Sequence, residues 1–68
     1  MQVIINGEQA SIQDTTTIAG LIKHLALEGR IAIEVNREII PKSKFDSHLI
    51  NDGDIIEIVH AIGGGAPA

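Results

Sequence analysis

The residues best placed to do chemistry lie at the end of the chain, in Gly63-Gly64-Gly65-Ala66-Pro67-Ala68. Three successive glycines lose the most backbone entropy on ordering and bury no side chain, so they suit neither a helix nor a strand. They follow the strand-like run Asp54 to Ile62. The expectation is therefore a folded body over residues 1–62 and a flexible, side-chain-free tail over residues 63–68. Such a tail can enter a narrow site in a partner enzyme and present a carboxylate there. Fully extended, three glycines reach about 10 Å beyond the body. The other chemistry-bearing residues offer less. No helix pattern follows the glycines and no lysine lies among them, so they do not form a phosphate loop. His24, His48 and His60 lack metal-ligand spacing, and no metal or bound cofactor is expected. Asp52 and Asp54 flank Gly53. Paired carboxylates can do acid–base work, but Asp and Gly are also the usual turn residues, and a turn is the expectation here. There is no cysteine, hence no disulfide and no thiol nucleophile. With no nucleophile, metal set or cofactor loop, the chain is not expected to be an enzyme.

The elements that must position this tail are legible in the apolar pattern. Gln2 to Asn6 reads as a β-branched strand, and Asn6-Gly7 favours the positive φ of a two-residue hairpin turn. Glu8 to Gln13 is the returning strand, weakly apolar and expected at a sheet edge. Asp14, Thr15, Thr16 and Thr17 can each cap a helix. Ile18, Leu21, Ile22 and Leu25 then recur at helical spacing, which predicts one helix over residues 18–28 with Gly29 as its stop. Ile31 to Val35 alternates as a half-buried strand. Asn36-Arg37 is a turn, and Glu38-Ile39-Ile40 is a short strand stopped by Pro41. Lys42 to Leu49 is an irregular connection with Phe45 plugging the core. Asn51 to Asp54 is a tight turn, and Asp54 to Ile62 is the last strand.

Two hairpins thus flank one helix, and a long apolar strand closes the chain. The first and last strands are apolar enough to sit side by side in the middle of a sheet, as a parallel pair with a long crossover. The single helix covers one sheet face. The fold expected is α+β: a β-grasp, or ubiquitin-like, mixed sheet of about five strands with one main helix. The other face lacks cover, so Ile55, Glu57 and Val59, with His60 and Ile62 at the root of the tail, are expected to bind a partner.

Composition narrows the partner. Sixty-eight residues make one small domain, and a chain of that size buries only about 60 % of its unfolded surface. The formal net charge is −4 and Phe45 is the only aromatic residue. The chain has neither the basic stripe nor the stacking platform of a nucleic-acid binder. Acidic charge suits a basic protein partner or plain solubility. No basic leader with a cleavage site precedes the first strand, and no apolar run approaches the ~20 residues of a membrane helix. The expected location is the cytoplasm, with no membrane partner.

Segment by segment, the chain resembles the ThiS family of sulfur carriers in thiamine biosynthesis. Val3-Ile4-Ile5-Asn6-Gly7-Glu8 is similar to that family's opening hairpin, and Thr17 to Ile22 to its helix start. Ala32 to Pro41 resembles its middle hairpin. Asn51 to Gly65 resembles its final turn, strand and glycine ending. The likeness covers residues 2 to 65. It implies a carrier whose terminal glycine, Gly65 here, is adenylated by an ATP-dependent, E1-like adenylyltransferase. A sulfur donor system then converts it to a thiocarboxylate, which thiazole synthase consumes. The resemblance implies no bound cofactor, with ATP used by the activating partner.

One feature departs from that family. Its members act with glycine as the last residue, whereas Ala66-Pro67-Ala68 follow Gly65 here. A glycine inside a peptide bond has no carboxylate to adenylate. Either the three residues are trimmed, for instance by a processing protease, or the form ending at Ala68 is inactive, or the extension is foreign to the natural chain. Two other function classes stay open on sequence alone. One is a carrier for another pathway, such as molybdopterin or a specialised metabolite, or a modifier joined to lysines. The other is a ubiquitin-like interaction module with no chemistry at its tail.

Overall fold

The computed structural model describes residues 1–60. Its elements are strands β1 (Gln2–Ile5) and β2 (Glu8–Ser11), helix α1 (Ile18–His24), strands β3 (Ile31–Val35) and β4 (Glu38–Ile40), a 3-10 turn (Lys42–Lys44) and strand β5 (Ile55–His60). The sheet order is β2-β1-β5-β3-β4. β1 and β5 run parallel, and the other neighbours are antiparallel. β5 therefore lies at the centre of the sheet and β2 at an edge, as the apolar content of each strand predicts. This is the β-grasp architecture.

Alternation along the strands divides the sheet into two faces. Val3, Ile33, Val35, Ile40 and Ile56 point to the helix and form the core with Ile18, Leu21, Phe45 and Ile50. Ile18, Leu21 and Ile56 are fully buried, and Phe45 plugs the core from the irregular connection. Thr17 is the residue that caps the helix: its Oγ1 accepts from the Gly20 N–H at 3.1 Å.

The helix stops at His24, earlier than its apolar spacing predicts. Ala26 takes the left-handed conformation (φ 56) that was expected of Gly29. The Ala26 N–H donates to the Lys23 carbonyl and the Leu27 N–H to the Ile22 carbonyl. Those two bonds are a Schellman ending, which lets an apolar residue just past the helix fold back on the last turn. Leu27 is that residue and is half-buried, whereas Leu25, expected on the buried face, is 39 % exposed. β1 and β2 also end sooner than expected, at Ile5 and Ser11, because Asn6 enters the turn and the chain leaves the edge after Ser11. The expected end of the last strand, residues 61 and 62, and the expected tail, residues 63–68, lie outside the described residues.

Candidate functional site: the central strand and the open sheet face

Residues of β5 alternate between the core and the uncovered face. Ile56 enters the core, while Ile55 (48 % exposed) and Val59 (59 %) point away from the helix, with exposed Glu57 between them. The register adds neighbours on that face. Ile4 lies opposite Ile55, Glu34 opposite Glu57, and Ala32 opposite Val59. Ile39, 70 % exposed, lies opposite Glu34 on the other side. Ala32, Glu34, Ile39, Ile55, Glu57 and Val59, together with Asn36 and Arg37, line a shallow open groove of about 630 Å³. Ile55, Glu57 and Val59 thus share one face, as expected. His60 does not join them. It pairs with Ile31, and the alternation turns it to the helix side, where it is exposed at the strand's end. Ile62, Gly63, Gly64 and Gly65, with Ala66, Pro67 and Ala68, lie outside the described residues.

Two asparagines hold β5 in place from opposite sides. The β1 backbone bonds to β5 through Ile4 N–H to the Asp54 carbonyl and Asn6 N–H to the Ile56 carbonyl, both at 2.9 Å. The chain then turns away at Asn6, and the Asn6 side chain continues the ladder. Its Oδ1 accepts from the Ile58 N–H at 2.7 Å, and its Nδ2 donates to the Ile58 carbonyl at 3.3 Å. Across the strand, Asn36 Oδ1 accepts from the Ile55 N–H at 2.9 Å, and Asn36 Nδ2 donates to Asp54 Oδ1 at 3.0 Å. The buried Asp54 carboxylate also accepts from the Asn51 N–H at 2.8 Å. Asp54 is thus a turn-closing group, and Asp52 likewise accepts from the Gln2 N–H at 2.8 Å. Neither is arranged for acid–base chemistry. Among the described residues no group of three or more His, Cys, Asp or Glu side chains could hold a metal. No helix among them is long and apolar enough to cross a membrane.

Sequence reasoning missed Asn6 and Asn36 as clamps, and Glu34, Arg37 and Ile39 as part of the face. Alternation alone places Glu34 and Ile39 on the outer side of their strands. Which residues they meet depends on register, which the apolar pattern does not carry.

A small β-grasp domain whose central strand is the last among the described residues, pinned from both sides and followed in sequence by Gly63-Gly64-Gly65, is a ubiquitin-like protein in class. The model of the ThiS family matches residues 3–65, and the chain belongs to that family. It is 43 % identical over 63 residues to the sulfur carrier protein ThiS of Bacillus subtilis, covering 90 % of this chain and 96 % of that one. It is 42 % identical over 67 residues to a thiazole synthase of Paramagnetospirillum magneticum, covering 97 % of this chain but only 21 % of that protein. The crystal structure of a thiamine biosynthesis protein (ThiS) from Geobacter metallireducens superposes with a TM-score of 0.83 at 25 % identity, covering 96 % of this chain and all of that one.

Proposed function

We propose that this chain is a sulfur carrier protein for thiazole formation in thiamine biosynthesis, a protein co-substrate rather than a catalyst. The observation that carries this reading is that the family likeness spans residues 3–65 and so reaches Gly65, which follows the central strand in the sequence. The body is residues 1–62 and the tail residues 63–68, working in the cytoplasm. In the active form Ala66-Pro67-Ala68 are absent and Gly65 ends the chain. A Gly65 carboxylate oxygen attacks the α-phosphorus of ATP on an E1-like adenylyltransferase, and pyrophosphate leaves. A sulfide-level nucleophile, HS⁻ from a donor system, then attacks the acyl carbon, and AMP and a proton leave, giving a thiocarboxylate. Carboxylate itself is a poor acyl donor, and adenylation supplies the leaving group. Glycine at the reacting end has no Cβ to crowd the nucleotide or the incoming sulfur.

Thiazole synthase is the acceptor in this reading. Two proteins named thiazole synthase contain a segment similar to this chain that spans 21 % and 20 % of their length. A carrier-like segment joined to a thiazole synthase supports a working relationship between the two. The open face with Ile55, Glu57 and Val59 docks the activating enzyme; His60, exposed at the strand's end on the helix side, and Ile62 contact the same enzyme where the tail leaves the body.

The test is a pair of reactions with ATP, the purified activating enzyme and a sulfur donor, read by mass spectrometry. The chain ending at Gly65 gains the mass of one oxygen replaced by one sulfur. The chain ending at Ala68 does not, unless a protease first exposes Gly65. Equal yields from both lengths, with Ala66-Pro67-Ala68 still attached to one, overturn the assignment of Gly65.

A further inference from the structure

We propose that the open sheet face receives a protein surface that inserts one basic side chain between Glu34 and Glu57, flanked by apolar side chains, with an acidic group set against Arg37. This rests on the reading of that face as the docking surface and adds the chemistry of its occupant. Glu34 and Glu57 are register partners on adjacent strands, and both point to the open face. Like charges placed directly opposite each other in a sheet repel. Among the described residues neither carboxylate pairs with a cation, and the one ion pair, Met1 with Asp14, lies elsewhere. The pair is therefore unrelieved in the free domain.

The surroundings say what would relieve it. Ile55 and Val59 lie two residues to either side of Glu57, and Ile39 lies opposite Glu34. Any surface that buries these three apolar side chains also strips water from the two carboxylates between them. Buried carboxylates without a partner are strongly unfavourable, and a guanidinium or ammonium placed to hydrogen-bond both offsets much of that cost. An apolar occupant would leave both unpaired. A nucleic-acid phosphate would be repelled. A second copy docked about a two-fold axis through this pair would bring four carboxylates together. The occupant is a different protein with a positive centre.

Arg37 supplies the opposite sign at the turn end of the groove. It has φ 72, in the left-handed region that favours glycine, and the other hairpin of the sheet has Gly7 at the equivalent place (φ 84). A long cation in that conformation, on the rim of an apolar groove, fits a role in contact better than a role in turning the chain. The charge order along the groove is then one positive, two negative and an apolar end toward the tail. That order fixes which way round the partner lies.

The experiment titrates the full 68-residue chain into the purified activating enzyme of the same organism, at low and high salt. Glu34→Gln with Glu57→Gln keeps the shape and removes both charges. Binding is expected to weaken about tenfold, with a flatter salt dependence of the association rate. The free domain should melt no lower, since a repulsion has gone. Glu57→Lys should weaken binding further, and Arg37→Gly by about threefold. Val59→Asp separates the two layers of the argument. If Val59→Asp weakens binding while the double glutamine variant binds within twofold of the unaltered chain, the face is the docking site but the basic occupant is wrong. If Val59→Asp binds as tightly as the unaltered chain, or neither the full chain nor the form ending at Gly65 binds, the docking reading fails and this inference falls with it.

Discussion

The β1–β2 hairpin turns on Asn6-Gly7 and the β3–β4 hairpin on Asn36-Arg37, and all four residues have positive φ (50, 84, 52 and 72). Two-residue loops with both φ values positive match the right-handed twist of the flanking strands. In each hairpin the asparagine does a second job, because its side chain reaches sideways to the backbone of β5. The hairpins differ in what lies behind that reach. Both are exposed, but the Asn6 side chain bonds only to the Ile58 N–H and carbonyl, whereas the Asn36 side chain accepts from the Ile55 N–H and also donates to the carboxylate of buried Asp54. They differ again at the second turn position, glycine in one and arginine in the other. The first hairpin is conformationally relaxed and structurally simple. The second carries a buried charge on one side and a strained cation on the other, and it borders the open face. One turn geometry thus serves twice, once for folding alone and once for folding together with a charged rim.

The sharpest way to break this comparison is Asn36→Gly. Glycine accepts the positive φ, so the turn survives and only the side-chain bonds are lost. Asp54 then keeps the Asn51 N–H but loses the Asn36 amide, and the Ile55 N–H loses its acceptor. Removing a partner from a buried charged group costs about 2–3 kcal/mol. In a domain whose total stability is on the order of 5 kcal/mol, that removes about half. Urea denaturation should show a lower midpoint with an unchanged slope. A loss under half a kcal/mol would mean that water replaces Asn36 at no cost.

How much of this was legible in the chain follows from what each signal encodes. The β-grasp order was readable because period-two and helical spacings differ and because Asn6-Gly7, Asn36-Arg37 and Asn51 to Asp54 mark turns. The early end of the helix was not. Gly29 looked like the stop, but the Schellman geometry fell on Ala26, since Leu27 gains burial by folding back there. Placement of Ile55, Glu57 and Val59 on one uncovered face followed from alternation and from having a single helix. His60 followed the same alternation to the opposite side, which proximity to the tail obscured. The clamps and the Glu34–Glu57 pair depend on register between strands far apart in sequence. No local pattern specifies that register, which is set by how the core side chains pack.

Asn6→Gly is the matched test on the other hairpin. It too keeps the turn and removes the bonds to Ile58, but no buried charge depends on it. The expected cost is about 1 kcal/mol. The loss should be local, with faster hydrogen exchange at the Ile58 amide and little change at the Ile33 or Ile56 amides in the core. Equal costs for Asn6→Gly and Asn36→Gly would mean that the buried Asp54 carboxylate is not what separates the two hairpins.

The smallest expected effect has the opposite sign. Arg37→Gly makes the second turn match the first, Asn-Gly in both places. A side chain in the left-handed region costs roughly 1–2 kcal/mol, and the extra freedom of glycine in the unfolded chain returns about 0.4–1 kcal/mol of that. The net expectation is a gain of about half a kcal/mol in the free domain. Side-chain contacts do not oppose it, because Arg37 is exposed and makes no ion pair among the described residues. Thermal and urea unfolding of the two forms would resolve a shift of that size. A destabilised Arg37→Gly would show that the arginine supports the hairpin after all, and the strain argument for its presence on the rim would fail. A stabilised one would leave the two hairpins equivalent as turns, with the rim charge the only property that Arg37 adds.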